Sequence, residues 1–374
     1  MQRTLQTGVV LLLTLFVTNV SRSESIRFYI GTYTHGQSDG IYTAMFDTKT
    51  GAISPPVLAA KTVNPSFLAV SAKRKRVYAV NETTSFAGEK SGGVSAFAIE
   101  DDGTLRLLNQ MATGGGAPCH LVLDHSAQHV LIANYMGGNA SVFSLNADGA
   151  LDQRTALVQH TGSSINSRRQ EAPHAHSINL DAAGKFAFVA DLGIDRILAY
   201  RFNSEQGTLA PAGGVNLPAG SGPRHFAFHP NGKYAYGLNE LLGTISVFEY
   251  AAATGELTTL QLINTTGTGT AEILVHPGGK FVYASNRSGY NTIAGFAIQK
   301  QNGRLRNIGV WSTGGKEPRN FRMSPDGRFL LAENQNSGSI HVFSIDQQTG
   351  RLTPTKHTAD VPTPVCIRFL KSEQ

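Results

Sequence analysis

A single phrase recurs along this chain at a spacing of about 48 residues, and few folds can house it. The phrase opens on an apolar alternation, turns, runs through a second apolar stretch and closes on Asn or Asp. Its clearest copies run from Pro65 to Asn81, Pro118 to Asn134, Pro223 to Asn239 and Pro318 to Asn334. Ala175 to Asp191 and Thr270 to Asn286 keep the register without the proline. In all six copies the two markers stand 16 residues apart. A second phrase, Gly-x-Ile/Val-x-x-Phe and a turn, follows each. Its aromatic anchors are Phe46, Phe97, Phe143, Tyr200, Phe248, Phe296 and Phe343, at steps of 46 to 57 residues. Its turn glycines are Gly51, Gly103, Gly149, Gly207, Gly255, Gly303 and Gly350.

Each unit holds four short stretches of period-2 alternation, separated by turn signals such as Pro230-Asn-Gly232 and Pro325-Asp-Gly327. Four antiparallel strands per repeat of this length predict a β-propeller blade, and seven units predict an all-β, seven-bladed propeller. Helical solenoids are rejected because no window sustains a 3.6-residue period. Composition agrees: 40 glycines and only 16% charged residues exclude long solvated helices, and 41% hydrophobic content excludes disorder. The net charge of +6 is mild for 374 residues. The one basic run, Lys73 to Arg76, reads as a solvated turn, so no nucleic-acid partner is expected.

The ends of the chain are unequal. Phe28 to Tyr33 sits in the second-strand position with no first strand before it, whereas Pro364 to Leu370 is a first strand with nothing after it. Joined, they complete one blade and remove an exposed sheet edge. Deleting residues 362–374 is therefore expected to unfold or oligomerise the protein. Residues 1–23 read as a secretory signal peptide: Arg3 is followed by the apolar run Val9 to Val17, then by small residues at Ser21 and Ser23. That run is about half of a membrane span, so none is expected once it is cleaved. Residues 24–374 are then one exported domain, periplasmic or secreted, and expected to be monomeric. Export would permit a disulfide, but one far-separated pair, Cys119 and Cys366, is thin ground for a bridge.

In paired antiparallel strands, residues just after each opening marker lie beside those just after each closing marker, on one face around the central channel. Reading these off gives Ser66/Glu82, Cys119/Tyr135, His176/Leu192, Arg224/Glu240, Ala271/Arg287, Arg319/Gln335 and Val365/Tyr33. Adjacent positions hold His120, Ser177, His225, Glu272, Asn320 and His174. Repeats ordinarily place similar, bland residues at equivalent positions. Here several units carry His, Arg and Glu instead, which marks a channel mouth able to bind an anion and move a proton.

Phe28 to Leu370 resembles the seven-bladed propeller lactonase family, which includes the propeller-type 6-phosphogluconolactonases and the fungal carboxy-cis,cis-muconate cyclases. The resemblance rests on Tyr29-Ile-Gly-Thr-Tyr-Thr34, Asn64-Pro-Ser66, Pro173-His-Ala-His176, Gly222-Pro-Arg-His225, Leu238-Asn-Glu240, Ser285-Asn-Arg287 and Pro318-Arg-Asn320. It implies that His176, Arg224, Glu240 and Arg287 correspond to the cluster proposed as catalytic in the cyclases. The signal peptide departs from the phosphogluconate pathway, which runs in the cytosol.

Opening a lactone needs an activated water, a stabilised oxyanion and a proton for the departing alkoxide. His176 has the unperturbed pKa of a general base near neutrality. Arg224 and Arg287 offer fixed charge and fork-shaped donors. Glu240 can orient His176, pair with an arginine or pass a proton, and its place beside Arg224 favours pairing. His174, His225, Arg319, Asn320, Glu82 and Tyr33 are expected to hold substrate, with His120 and His225 also open to a supporting structural role. The His174-x-His176 spacing is metal-like, but no third ligand is fixed, so neither metal nor cofactor is expected. There is no Gly-x-Ser-x-Gly elbow. Nothing in the sequence pairs Cys119 with a base, and it reads as buried filling. The expected substrate is a sugar δ-lactone, with or without a 6-phosphate. Carboxymuconate cycloisomerisation and a non-catalytic propeller that binds a ligand or protein are the alternatives.

Overall fold

In a computed structural model covering residues 25–34 and 36–370, the chain forms seven four-stranded antiparallel sheets. The expected signal peptide lies outside the described residues. The innermost strands are Leu68–Ser71, Pro118–Leu123, Ala175–Leu180, Pro223–Phe228, Thr270–Val275, Pro318–Met323 and Pro364–Phe369. Each packs against the next, and the last returns to the first, so the sheets stand as blades around a closed ring. Among the described residues no helix is long and apolar enough to cross a membrane.

The closing blade combines both ends of the chain. Its strand order is Pro364–Phe369, Ser25–Thr32, Gly40–Asp47, Val57–Lys61. Phe28 lies opposite Phe369, Ile30 opposite Ile367 and Thr32 opposite Pro364. Five of the six marker pairs are direct cross-strand partners: Pro118 with Asn134, Ala175 with Asp191, Pro223 with Asn239, Thr270 with Asn286 and Pro318 with Asn334. The 16-residue spacing is thus the length of a hairpin. In the remaining unit, pairing starts further along, at Leu68 with Ala79.

The seven aromatic anchors are buried between blades, where each Phe contributes about 1.5–3 kcal/mol of hydrophobic burial. Tyrosines on second strands fasten four of the seams. Tyr29, Tyr78, Tyr236 and Tyr283 each donate a hydrogen bond to the carbonyl of a turn glycine in the neighbouring blade: Gly103, Gly149, Gly303 and Gly350. Those glycines turn with positive φ, between 69° and 91°. At Gly303 a Cβ would also come within 2.4 Å of the Tyr234 ring, so no other residue fits there unstrained.

The inner strands share an irregularity that positions the site. Six of them slip register just after the opening marker, between Pro118 and His120, Ala175 and Ser177, Pro223 and His225, Thr270 and Ile273, Pro318 and Asn320, and Pro364 and Cys366. A β-bulge inserts one extra residue and re-aims its side chain. The bulged residues are Cys119, His176, Arg224, Arg319 and Val365, with Ala271 and Glu272 in the longer slip.

Candidate active site

A cavity of about 660 Å³ occupies the mouth of the channel on the bulged side. Five of the residues expected from the sequence line it: His176, Glu240, Arg287, Arg319 and Glu82. Arg224, Tyr33, His225 and Asn320 line a small void directly beneath, which Glu82, Cys119 and Arg319 border from the mouth side. His174 reaches neither. Its ring stacks on Tyr135 at 4.5 Å, and its nitrogens face the Tyr135 carbonyl and the Glu171 carboxylate. It therefore supports Tyr135, a wall of the cavity. Among the described residues no three His, Cys, Asp or Glu side chains converge as metal ligands would.

Glu240 is the electrostatic centre of the mouth. One carboxylate oxygen takes Arg224 Nε at 2.9 Å and Arg287 Nη2 at 3.2 Å, and the other accepts from Arg169 Nη2 at 2.8 Å. Burial alone would raise its pKa. The charges of Arg287, Arg224 and Arg169 outweigh that and hold it at about 2. An acid so firmly ionised accepts hydrogen bonds and does not donate a proton, so Glu240 clamps arginines.

The four arginines of the mouth are not equivalent. Arg224 is buried and also donates to the Ala271 carbonyl. Arg287 donates to the Gly269 carbonyl at 2.8 Å and stands 4.0 Å from Glu317. Arg169 bonds the Tyr135 hydroxyl. Among the described residues Arg319 has no carboxylate within ion-pair distance, and it lies over the Tyr33 ring at 5.3 Å on the wall of the cavity, where its donors can meet a ligand. Tyr33 in turn donates to Glu82 at 2.9 Å, as does Ser66.

His176 is 5% exposed and uncharged at neutral pH. Burial, reinforced by Arg224, His225 and Arg319, pulls it well below the ordinary 6.5. Its Nδ1 lies 3.6 Å from Cys119 Sγ. The sequence showed no base beside Cys119, because the two residues come from neighbouring blades. Burial pushes that thiol far above its usual value, so it stands as the neutral partner of the imidazole. Cys366 packs apart from it, against the Leu68 amide, and both cysteines are free.

Arg169 was not among the expected site residues, and Tyr135 was read as a channel-mouth position without a role. Arg169 sits on the connection between the strands Leu151–Gln159 and Ala175–Leu180. Asp195 ties this loop down by accepting from Ser164 and Gln170, and Gln170 also donates to the Leu192 carbonyl. The one available signal was the step from Phe143 to Tyr200, the longest at 57 residues.

Residues 27–369 match the family model described as lactonase, 7-bladed beta-propeller. The chain belongs to this lactonase family. It is 37% identical over 349 residues to a 6-phosphogluconolactonase of Bacillus subtilis, covering 91% of this chain and 97% of that protein. It is 36% identical over 335 residues to a 6-phosphogluconolactonase of Formosa agariphila, covering 87% and 94%. The solved structure of a periplasmic gluconolactonase from Pseudomonas aeruginosa superposes with a TM-score of 0.86 at 31% identity, covering 92% of this chain and 99% of that one.

Proposed function

We propose that the channel mouth hydrolyses a gluconolactone to its open acid. The observation that carries this reading is the pairing, in one cavity, of an uncharged buried His176 with the uncommitted guanidinium of Arg319. The lactone carbonyl lies toward Arg319, which meets the charge that develops on its oxygen. His176 takes a proton from water as the water oxygen bonds to the acyl carbon. The bond from that carbon to the ring oxygen then breaks, and the imidazolium returns its proton to the departing alkoxide. Arg224 and Arg287, fixed by Glu240, keep the floor of the cavity positive toward the carboxylate product.

The names of the relatives support this substrate class, with and without a 6-phosphate. An exported protein, as the apolar leader at residues 1–23 implies, would meet unphosphorylated lactone rather than hexose phosphate. The test is acid release from glucono-δ-lactone and from its 6-phosphate, measured against spontaneous opening. Saturable acceleration with either substrate supports the reading, and rates equal to buffer with both end it. The faster substrate identifies the physiological one.

A further inference from the structure

The repeat that locates the mouth breaks a second time, deeper in the channel. Four residues past the opening markers, the seven inner strands carry Ala69, Val122, Asn179, Ala227, Leu274, Arg322 and Arg368. Five units are uncharged at this layer, and two adjacent ones place arginine there. Just before the closing markers the chain carries Val80, Ala133, Ala190, Leu238 and Ser285, with Gly31 at the same place in the closing blade, but Glu333 in the unit of Arg322. No part of the lactone-opening chemistry uses these three residues.

The two arginines line a space of their own. Arg322 and Arg368 both line two adjoining cavities of about 340 and 470 Å³, which run from His120, His225 and Glu272 to Pro277 and Pro325 at the far end of the inner strands. Arg368 lies over the Phe67 ring at 4.4 Å and bonds its own neighbour's carbonyl, that of Ile367. Arg322 makes no hydrogen bond and no ion pair among the described residues. Glu272 is already committed to His225 at 2.8 Å and Asn320 at 2.6 Å. Glu333 is fully buried; the Ile367 amide is close, but neither carboxylate oxygen has a hydrogen bond of ordinary geometry. Burial pushes Glu333 well above the usual carboxylate range, so it does not neutralise the arginines, and burial with Arg368 alongside draws Arg322 down to about 10.

We propose that this lower half of the channel is a second anion site, in which Arg322 and Arg368 bind a small oxyanion, a carboxylate or a phosphate, entering from the face opposite the lactonase mouth. Two forked guanidinium groups on adjacent strands suit bidentate recognition of either group. The layer of Phe67, His120, His225, Glu272 and Asn320 stands between this site and the mouth. The bound anion supplies the negative charge that the protein itself leaves out.

The experiment is calorimetric titration of the full-length protein with inorganic phosphate and, separately, with gluconate. The arms are wild type, Arg322→Met, Arg368→Gln and, for the mouth, Arg319→Met. The expected result is saturable binding in wild type that survives Arg319→Met and weakens about ten- to a hundredfold in both lower-channel variants. Those two variants should open lactone at the wild-type rate, which shows that they are folded. Tighter binding of phosphate assigns the site to phosphate, and tighter binding of gluconate assigns it to a carboxylate. Binding lost in Arg319→Met but unchanged in the lower-channel variants would overturn the proposal, as would no saturable binding of either anion.

Discussion

Glu240 and Glu333 stand one residue to either side of a closing Asn, in different blades, and their surroundings are opposite. Glu240 meets three arginines within 3.2 Å and is fully ionised, while Glu333 lies behind two arginines that it does not touch and is held neutral by burial. The mouth thus spends its carboxylate on fixing arginines in place, and among the described residues Arg319 is the mouth arginine left to meet a ligand. The lower channel leaves both arginines unfixed by acid. Two repeat positions apart, the same residue type serves as a clamp or as a buried neutral group, according to whether charge or burial dominates its surroundings.

Substitutions that exchange these roles should break the contrast. Glu240→Gln leaves Arg224 buried without a counter-charge and is expected to cost about 3–5 kcal/mol of stability, read from the denaturant midpoint. Arg319→Met should keep the fold and lower kcat for lactone opening about 10²–10³-fold, the usual effect of removing one oxyanion donor. A loss confined to KM would show that Arg319 only binds substrate.

The pH profile sharpens the same comparison. In the proposed mechanism His176 acts in its neutral form, and burial holds its pKa below 6.5 in the fold. Activity should therefore persist as pH falls through 6.5 and be lost only further into acid, by about tenfold per unit. An acid limb at or above 6.5 would show an exposed imidazole as the base. Smallest of all, Glu333→Leu should change stability at neutral pH by no more than about 1 kcal/mol, because the buried acid is already uncharged. A loss as large as that of Glu240→Gln would show that Glu333 is ionised and pairs with Arg322 or Arg368.

Much of this architecture was legible because it repeats. The 16-residue spacing and the unequal chain ends gave the hairpins, the blade count and the closing blade. Pairing across a hairpin also placed Arg224 beside Glu240. What repetition could not show was depth. The bulge turns Cys119, His176 and Arg319 toward the mouth and leaves Arg224, His225 and Asn320 on the void beneath it, and a bulge has no signature in the alternation. His174 fell outside because it precedes its strand and stacks on Tyr135. Arg169 was missed because its loop has no counterpart in the other units, and the Cys119–His176 contact because neighbouring blades bring it together.

The central claim is that the mouth, and not the lower channel, opens the lactone. Initial rates of acid release from glucono-δ-lactone, corrected for spontaneous opening, test it when wild type, His176→Gln and Arg322→Met are compared. The account predicts a loss of about 10²–10⁴-fold in His176→Gln and the wild-type rate in Arg322→Met. A folded His176→Gln protein that opens the lactone as fast as wild type would contradict it.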